Sequence, residues 1–353
     1  MKANLPTFRA LAPLLAVVAL VQSINAATNT WSGTAGDLIW NTTANWSPSG
    51  PPGANDDTRF FNPGATNSLV QPNLVVTNNT SVRSLWIGQS NGFHNLVINS
   101  GVTLTVAGTN HNGYGPLGSD PDATAPSPDV LSTYYVGTKT GSSLTQTVTN
   151  TVSGSGTLAL NNTNNELNVR QFWQGGGGAH YAVMSMAGLD TFVASLGRIR
   201  VGDGEAQPVT RAEGQLILAK TNTITLTGTN YAENVQLLVG NNDVNNNGNG
   251  RISYLQLGQQ NTINVDRVLV GGRKSQGNIS FNPSFATPKL TLRGSDGVGR
   301  VSALRIGDHS DQLNTGNSTT GNINLGLGTV DALVDTVYVG RSSGSKPVPP
   351  RAR

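Results

Sequence analysis

The sequence predicts an all-β protein, a single-stranded right-handed parallel β-helix in which short strands stack turn upon turn. Three observations predict this solenoid: a strand pattern that recurs seven times, turns rich in glycine and asparagine, and little charge. Of the 353 residues, 43 are glycine and 12% are charged. A single turn of a solenoid cannot bury its own apolar face, so recurrence of one short unit is typical of stacked turns.

The recurrent pattern is a strand that ends in Val-Gly or Ile-Gly, with a further apolar residue two positions before the valine or isoleucine. Seven glycines end such runs: Gly88, Gly137, Gly202, Gly240, Gly271, Gly307 and Gly340. The residue between the two apolar positions is of any type, which predicts one packed face and one free face. The last four intervals are 38, 31, 36 and 33 residues, whereas the first two, 49 and 65, indicate turns that carry insertions.

Each repeat contains three strands. Residues 251–258, 261–265 and 267–271 are apolar runs separated by glycine, asparagine and aspartate, and together they suit one turn of a three-sided coil. Glycine supplies the backbone angles of tight corners, and asparagine bonds its own backbone there. We therefore expect asparagine ladders at equivalent corners.

Residues 1–26 are predicted to be a signal peptide. Lys2 and Arg9 precede and enter an apolar run, residues 11–21, and Ile24-Asn-Ala26 is a plausible cleavage site. We therefore expect a secreted, extracellular or cell-surface protein with no membrane span in the mature chain. The absence of cysteine excludes disulfides and thiol chemistry.

Removal of the signal leaves 20 cationic against 19 acidic residues. The remaining excess lies in residues 341–353, predicted to be a basic flexible tail. The charge balance therefore predicts no nucleic-acid partner.

Residues 27–75 are predicted to form an N-terminal cap. They hold Trp31, Trp40 and Trp46, three of the five tryptophans. The open end of a solenoid exposes apolar surface and strand edges, so a cap is the favoured interpretation. A carbohydrate-stacking platform is the alternative. Residues 76–340 then form the solenoid, with insertions near 109–132 and 172–196.

The segment from Trp31 to Trp46, followed by Pro51-Pro-Gly53, Asp56-Asp57 and Phe60, resembles the opening of large secreted bacterial proteins. Those proteins carry autotransporter-associated β-strand repeats or a PEP-type C-terminal sorting signal. The Val-Gly units and the phrase Asn261–Asp266 fit the same group. This resemblance implies a cell-surface or extracellular β-helix of unassigned activity. Residues 345–353 match neither a sorting helix nor a translocating barrel, so we expect a fragment of a longer protein or a released one.

The acidic candidates for chemistry follow the corner glycines. Asp203 and Glu205 come after Gly202, and a neighbouring Arg198 or Arg200 could complete a polysaccharide-processing site. Asp308 follows Gly307, three turns later, at about 14 Å, which is too far to act with Asp203 as a glycosidase pair. A solvated turn is the favoured interpretation of Asp203 and Glu205.

Metal binding has one candidate. Asp243, Asn245 and Asn247 mimic the start of a calcium loop, but its twelfth position is Tyr254 rather than glutamate. We therefore expect no resident metal or cofactor, with calcium as the alternative. The four histidines, at positions 94, 111, 180 and 309, are predicted to be surface turn residues.

The leading functional hypothesis is a non-catalytic extracellular β-helix, structural or adhesive, serving as a surface stalk or matrix component. Its expected partners are surface glycans or other cell-envelope proteins. The main alternative is a polysaccharide lyase or glycoside hydrolase on the same scaffold, an analogy from fold alone. A glycan-binding module is the third. The enzyme requires a groove at Asp203 and Glu205, the binding module requires exposed coplanar tryptophans, and the stalk requires buried aromatics at one end.

Overall fold

The computed structural model describes residues 27–48, 50–89, 92–109, 132–137, 139–140, 147–173, 181–204, 211–229, 234–241, 252–273, 275–308, 310 and 319–341. Strands make up most of these ranges, with a 3-10 turn at Thr43–Asn45. The predicted all-β class is therefore confirmed. The predicted signal peptide, most of the insertion near 109–132 and residues 342–353 lie outside the described residues.

The described ranges contain twenty-five strands, numbered here in chain order. They are β1 (Thr28–Trp31), β2 (Trp46–Ser47), β3 (Asp57–Phe60), β4 (Leu74–Val76), β5 (Thr80–Val82), β6 (Ser84–Ile87), β7 (His94–Ile98), β8 (Thr103–Val106), β9 (Ser132–Val136), β10 (Lys139–Thr140), β11 (Thr147–Val169), β12 (Gln171–Trp173), β13 (Tyr181–Asp203), β14 (Arg211–Ile217), β15 (Thr221–Leu226), β16 (Leu237–Asn241), β17 (Ile252–Leu257), β18 (Gln260–Asn264), β19 (Arg267–Gly272), β20 (Gln276–Phe281), β21 (Lys289–Arg293), β22 (Ala303–Asp308), β23 (Thr320–Asn324), β24 (Thr329–Ala332) and β25 (Val337–Val339).

The strands pair in parallel in three columns, each strand with its equivalent one repeat later. The first column contains β1, β3, β6, β9, β16, β19, β22 and β25. The second contains β4, β7, β14, β17, β20 and β23. The third contains β5, β8, β15, β18, β21 and β24. Two 23-residue strands, β11 and β13, pair with each other and run through all three columns.

The Val-Gly segments lie in register in the first column, where Val239 pairs with Val270 and Val270 pairs with Ile306. The 65-residue interval between Gly137 and Gly202 contains a further complete turn. Val169 pairs with both Val136 and Val201, so Arg170 occupies the place of the glycine. A search for glycine could not detect this turn. The first column therefore contains ten turns, counting from β1 to β25.

The insertion predicted near 172–196 needs a correction. Residues 181–196 belong to β13 and pair in parallel with β11 on one side and with β14 and β15 on the other. They are regular strand. Short strands β10 and β12 pair with each other, and β12 also pairs antiparallel with β14, outside the three columns.

The inward positions of all three columns form one apolar cluster that extends from Trp31 to Val301. The outward position of the first column, predicted to be free, is buried in five successive turns. Trp86, Tyr135, Asn168, Arg200 and Leu238 are each at most 5% exposed. Alternation therefore fixes which side chains point inward, but the outer face of this column is also covered.

The outward positions of the third column do face solvent. One residue from each turn lies in register with the next: Ser81, Thr105, Ala159, Val193, Thr223, Thr262, Thr291 and Asp331. Each is partly or fully exposed. This series marks the order of eight successive turns along one face.

An asparagine ladder stabilises two corners of the third column. The Asn222 amide donates to the Ala219 carbonyl at 2.7 Å and to the Asn261 side-chain oxygen at 2.9 Å. The Asn261 amide donates to the Gly258 carbonyl and to the Lys289 carbonyl, both at 2.8 Å. Each asparagine thus closes its own corner and bonds the next turn.

Aromatic side chains fill the N-terminal end. Trp46 contacts Trp31 and Trp40 edge to face, with ring centroids 5.2 and 4.8 Å apart, and Phe60 packs beside all three. The first strand pairs with β3 on one edge and antiparallel with β2 on the other. Both edges of β1 are therefore occupied. No helix in the described ranges has the length and hydropathy needed to cross a bilayer.

Candidate functional site

The sequence-predicted residues Arg198, Arg200 and Asp203 come together at a corner of the first column. Alternation in β13 points Ile199 and Val201 inward and both arginines outward. Gly202 then turns the chain at φ +62°, and a β-carbon there would lie 1.9 Å from the Ser253 hydroxyl oxygen. Glycine is therefore required at this corner.

Asp203 is fully buried and surrounded by donors. Arg200 Nε donates to Oδ2, and the Asn241 amide donates to Oδ1 at 3.0 Å. Arg198 Nη2 lies 3.8 Å from Oδ2, and Arg170 Nη1 donates to the Asp203 backbone carbonyl at 2.9 Å. The interpretation of Asp203 as a solvated turn residue is wrong, because its side chain has no exposed surface.

A second carboxylate, Glu166, completes the charged cluster. Arg200 Nη1 donates to Glu166 Oε1 at 3.2 Å, and the Asn168 amide donates to the same oxygen at 2.5 Å. Sequence reasoning missed Glu166 because its turn was not recognised. The signal was present in the spacing, since Glu166 pairs in register with Arg198, 32 residues later.

Burial perturbs two further groups of this cluster. Desolvation lowers the pKa of Arg170, and desolvation raises the pKa of Tyr135 against the opposing charge of Arg170. The Arg170 guanidinium lies 6.0 Å from the centre of the Tyr135 ring, within cation–π range. Tyr135 therefore stays protonated and neutral at pH 7.

This arrangement suits anchoring of adjacent turns more than catalysis. A general acid or base needs to reach the atom that it protonates or deprotonates, whether directly or through one water. Asp203 is enclosed by arginines and an amide instead. Breaking such a buried pair by removing one partner is costly, so the cluster fixes how the turns that contain Glu166 and Asp203 fit together.

The remaining acidic and metal candidates are separated from this cluster or not described. Glu205, Asp243, Asn245 and Asn247 lie outside the described residues. Asp308 follows Asp203 in register by way of Asn241 and Gly272, so the predicted separation of three turns is correct.

Asp308 has an ion pair of its own. Arg341 Nη2 donates to Asp308 Oδ2 at 2.6 Å. Partial burial acts to raise the pKa of Asp308, but hydrogen bonds from Arg341 and Ser310 outweigh it, so this pKa lies below its usual value. Arg341, the first residue of the predicted tail, is thereby held against the preceding turn.

The three tryptophans do not form a platform. Trp31 and Trp40 have no exposed surface and Trp46 has 3%, and Trp46 is inclined to the other two rings by 77° and 63°. Sugar stacking requires exposed, nearly coplanar rings. The glycan-platform interpretation of these residues therefore does not fit their geometry.

His94 is also buried, which corrects its prediction as a surface residue. Its Nε2 donates to the Phe61 carbonyl at 2.6 Å, and its Nδ1 lies 3.3 Å from the Asn73 amide. Burial lowers the pKa of His94 to about 4. The ring is therefore neutral at pH 7. The other three histidines lie outside the described residues.

Within the described ranges, no group of three or more His, Asp or Glu side chains is placed to hold a metal ion. Comparison of the chain with family models, curated proteins and solved structures finds no match.

Proposed function

We propose that this chain is a right-handed single-stranded parallel β-helix that serves as a stiff extracellular stalk or matrix component without catalysis. The observation that carries the proposal is the in-register stacking of ten turns around one apolar cluster. In such a coil the backbone of each inner turn is bonded to the turns on both sides, so length grows by repetition.

The proposed coil has a definite dimension. Nine steps of about 4.8 Å between the first and tenth turns give a rise of about 43 Å. The four later repeats use 31 to 38 residues each. Adding turns would therefore lengthen the rod without changing its cross-section, which suits a spacer or a matrix element.

The burial of the candidate residues favours this function over the two alternatives. A lyase or hydrolase would need an open groove at Asp203, whose carboxylate is enclosed and paired with arginine. A tryptophan-based glycan module would need exposed rings, and Trp31, Trp40 and Trp46 pack into the N-terminal end. Both alternatives therefore require surfaces that these residues do not offer.

An activity assay tests the non-catalytic part of the proposal. Acidic polysaccharides would be incubated with the protein, with and without calcium, and chain cleavage would be followed by reducing ends and unsaturated products. We expect no cleavage above background. Cleavage that Asp203→Asn abolishes would contradict the proposal, provided that Asp190→Asn, a change at a partly exposed ion pair, leaves it intact.

Export is tested separately. If residues 1–26 are a signal, expression in a secreting host should release a chain whose first residue is Ala27. Retention of an intact N-terminus inside the cell would contradict the extracellular assignment and leave the coil itself unaffected.

A further inference from the structure

The two ends of the stack of turns differ. At the last turn, β23, β24 and β25 each pair with a preceding strand and, within the described ranges, with no following one. The Thr336 carbonyl and the Gly340 amide bond the previous turn. By the alternation of parallel ladders, the backbone groups of Val337 and Val339 then point to the open edge.

The interior is also open at this end. Val330, Val337 and Val339 are 42%, 53% and 50% exposed, although their positions in register with Leu290, Leu304 and Ile306 are inward ones. Beside them lies a cavity of about 190 Å³ lined by aliphatic side chains, including Leu292, Ile323 and Val334. Unpaired backbone and uncovered aliphatic side chains thus occur on the same surface.

Two occupants of this surface can be set aside. The first turn of another copy is not free to stack here, because β1 is paired on both edges and Trp31, Trp40 and Trp46 fill that end. Residues 342–353 are too few to add a turn, since they number twelve, include three prolines, and a later turn takes 31 to 38 residues. Proline also lacks the amide that a ladder needs.

The charges of the last turn are compatible with a second identical surface. Asp331 pairs with Arg293 at 2.6 Å, and Asp335 lies 3.7 Å from Arg300. Asp308 is paired with Arg341. Because each of these carboxylates has its cation within the same copy, two such ends can meet without strong repulsion between like charges.

We propose that the last turn docks onto the last turn of a second copy of this chain. A two-fold axis perpendicular to the coil makes the opposed strands antiparallel, so one column pairs with itself and the other two exchange partners. The edge amides and carbonyls of Val337 and Val339 gain partners, and their side chains become dry. This inference rests on the proposed coil, and it defines how two stalks would join tail to tail.

Sedimentation of the full chain, with Val339→Lys as the test variant, measures this association. We expect wild type to form a dimer and Val339→Lys to raise the dimer dissociation constant at least about tenfold, because the ammonium would be buried without a partner. Val70→Lys is the matched control, since Val70 is 88% exposed in the N-terminal segment, and it should leave the dimer intact. A wild type that stays monomeric, or a dimer that Val339→Lys leaves unchanged, would overturn the inference.

Hydrogen exchange of the wild type keeps the test independent of variant folding. Amide exchange at Val337 and Val339 should slow as protein concentration rises, and exchange that is fast at every concentration would overturn the inference. Small-angle scattering of the monomer separates this inference from the coil: a rod-like monomer without dimers refutes the docking alone, whereas a monomer that is not rod-like refutes the coil.

Discussion

Mild acid should destabilise this protein through His94. The ring is enclosed near the aromatic N-terminal end, 5.3 Å from Phe60, and bonds the Phe61 carbonyl through Nε2. Burial lowers its pKa from 6.5 to about 4. Between these two values the unfolded chain holds more protons than the folded one, so stability is complete above about pH 6.5 and falls as the pH approaches 4.

The size of the effect follows from the pKa difference. A gap of about 2.5 units at 1.36 kcal/mol per unit corresponds to a loss of about 3 kcal/mol across this window. The carboxyl groups of Asp37, Asp296 and Asp308 have pKa values below 3.8, so they titrate at lower pH than His94. The window from pH 6.5 to 4 therefore isolates the histidine from these carboxyl groups.

Urea unfolding at a series of pH values, for wild type and His94→Gln, measures this loss. Glutamine can still donate to the Phe61 carbonyl but has no proton to gain, so the difference in stability between the two proteins should shrink by about 3 kcal/mol from pH 7 to pH 4. Equal pH dependence in the two proteins, or an NMR titration of His94 near its ordinary pKa, would refute the reasoning.

Three substitutions test the turns and corners, each by chemical unfolding. Gly271→Ala should cost more than about 2 kcal/mol, because its β-carbon would lie 2.1 Å from the Thr320 carbonyl oxygen, whereas Gly101→Ala, at a similar φ of +71° with open space, should cost about 1 kcal/mol. Asn261→Ala should cost about 2–4 kcal/mol by leaving corner groups unpaired, and equal stability would rule out the ladder. Asp203→Asn should cost about 3 kcal/mol, because it leaves the buried arginines without their carboxylate, and a cost no larger than that of Asp190→Asn would contradict the account of the cluster.

The all-β class, the stacked Val-Gly segments and the three strands per turn were predictable from the sequence, because alternation and corner glycines are local signals. The turn that ends at Arg170 was not, since its corner lacks glycine. Its alternation through Leu167 and Val169 was nevertheless visible, and a search for the apolar pair alone could have found it.

The charged cluster could be predicted only in part. Sequence placed Arg198, Arg200 and Asp203 at one corner but treated the corner as exposed. Whether an outward residue is buried depends on which distant segments lie over it, and on a register that joins Glu166 to Arg198 across a full turn. The same non-local burial hides His94, whose neighbours in sequence gave no sign of it.

The central claim is that successive repeats lie one above another in a single stack. Because the chain has no cysteine, paired cysteines at outward positions of the third column can carry spin labels whose separation is measured by pulsed EPR. Thr262, Thr291 and Asp331 lie four, five and six turns beyond Thr105. The backbone separations should increase from about 19 to about 24 and about 29 Å, one strand spacing per turn. Separations that fail to increase in that order would show that the repeats do not share one stack.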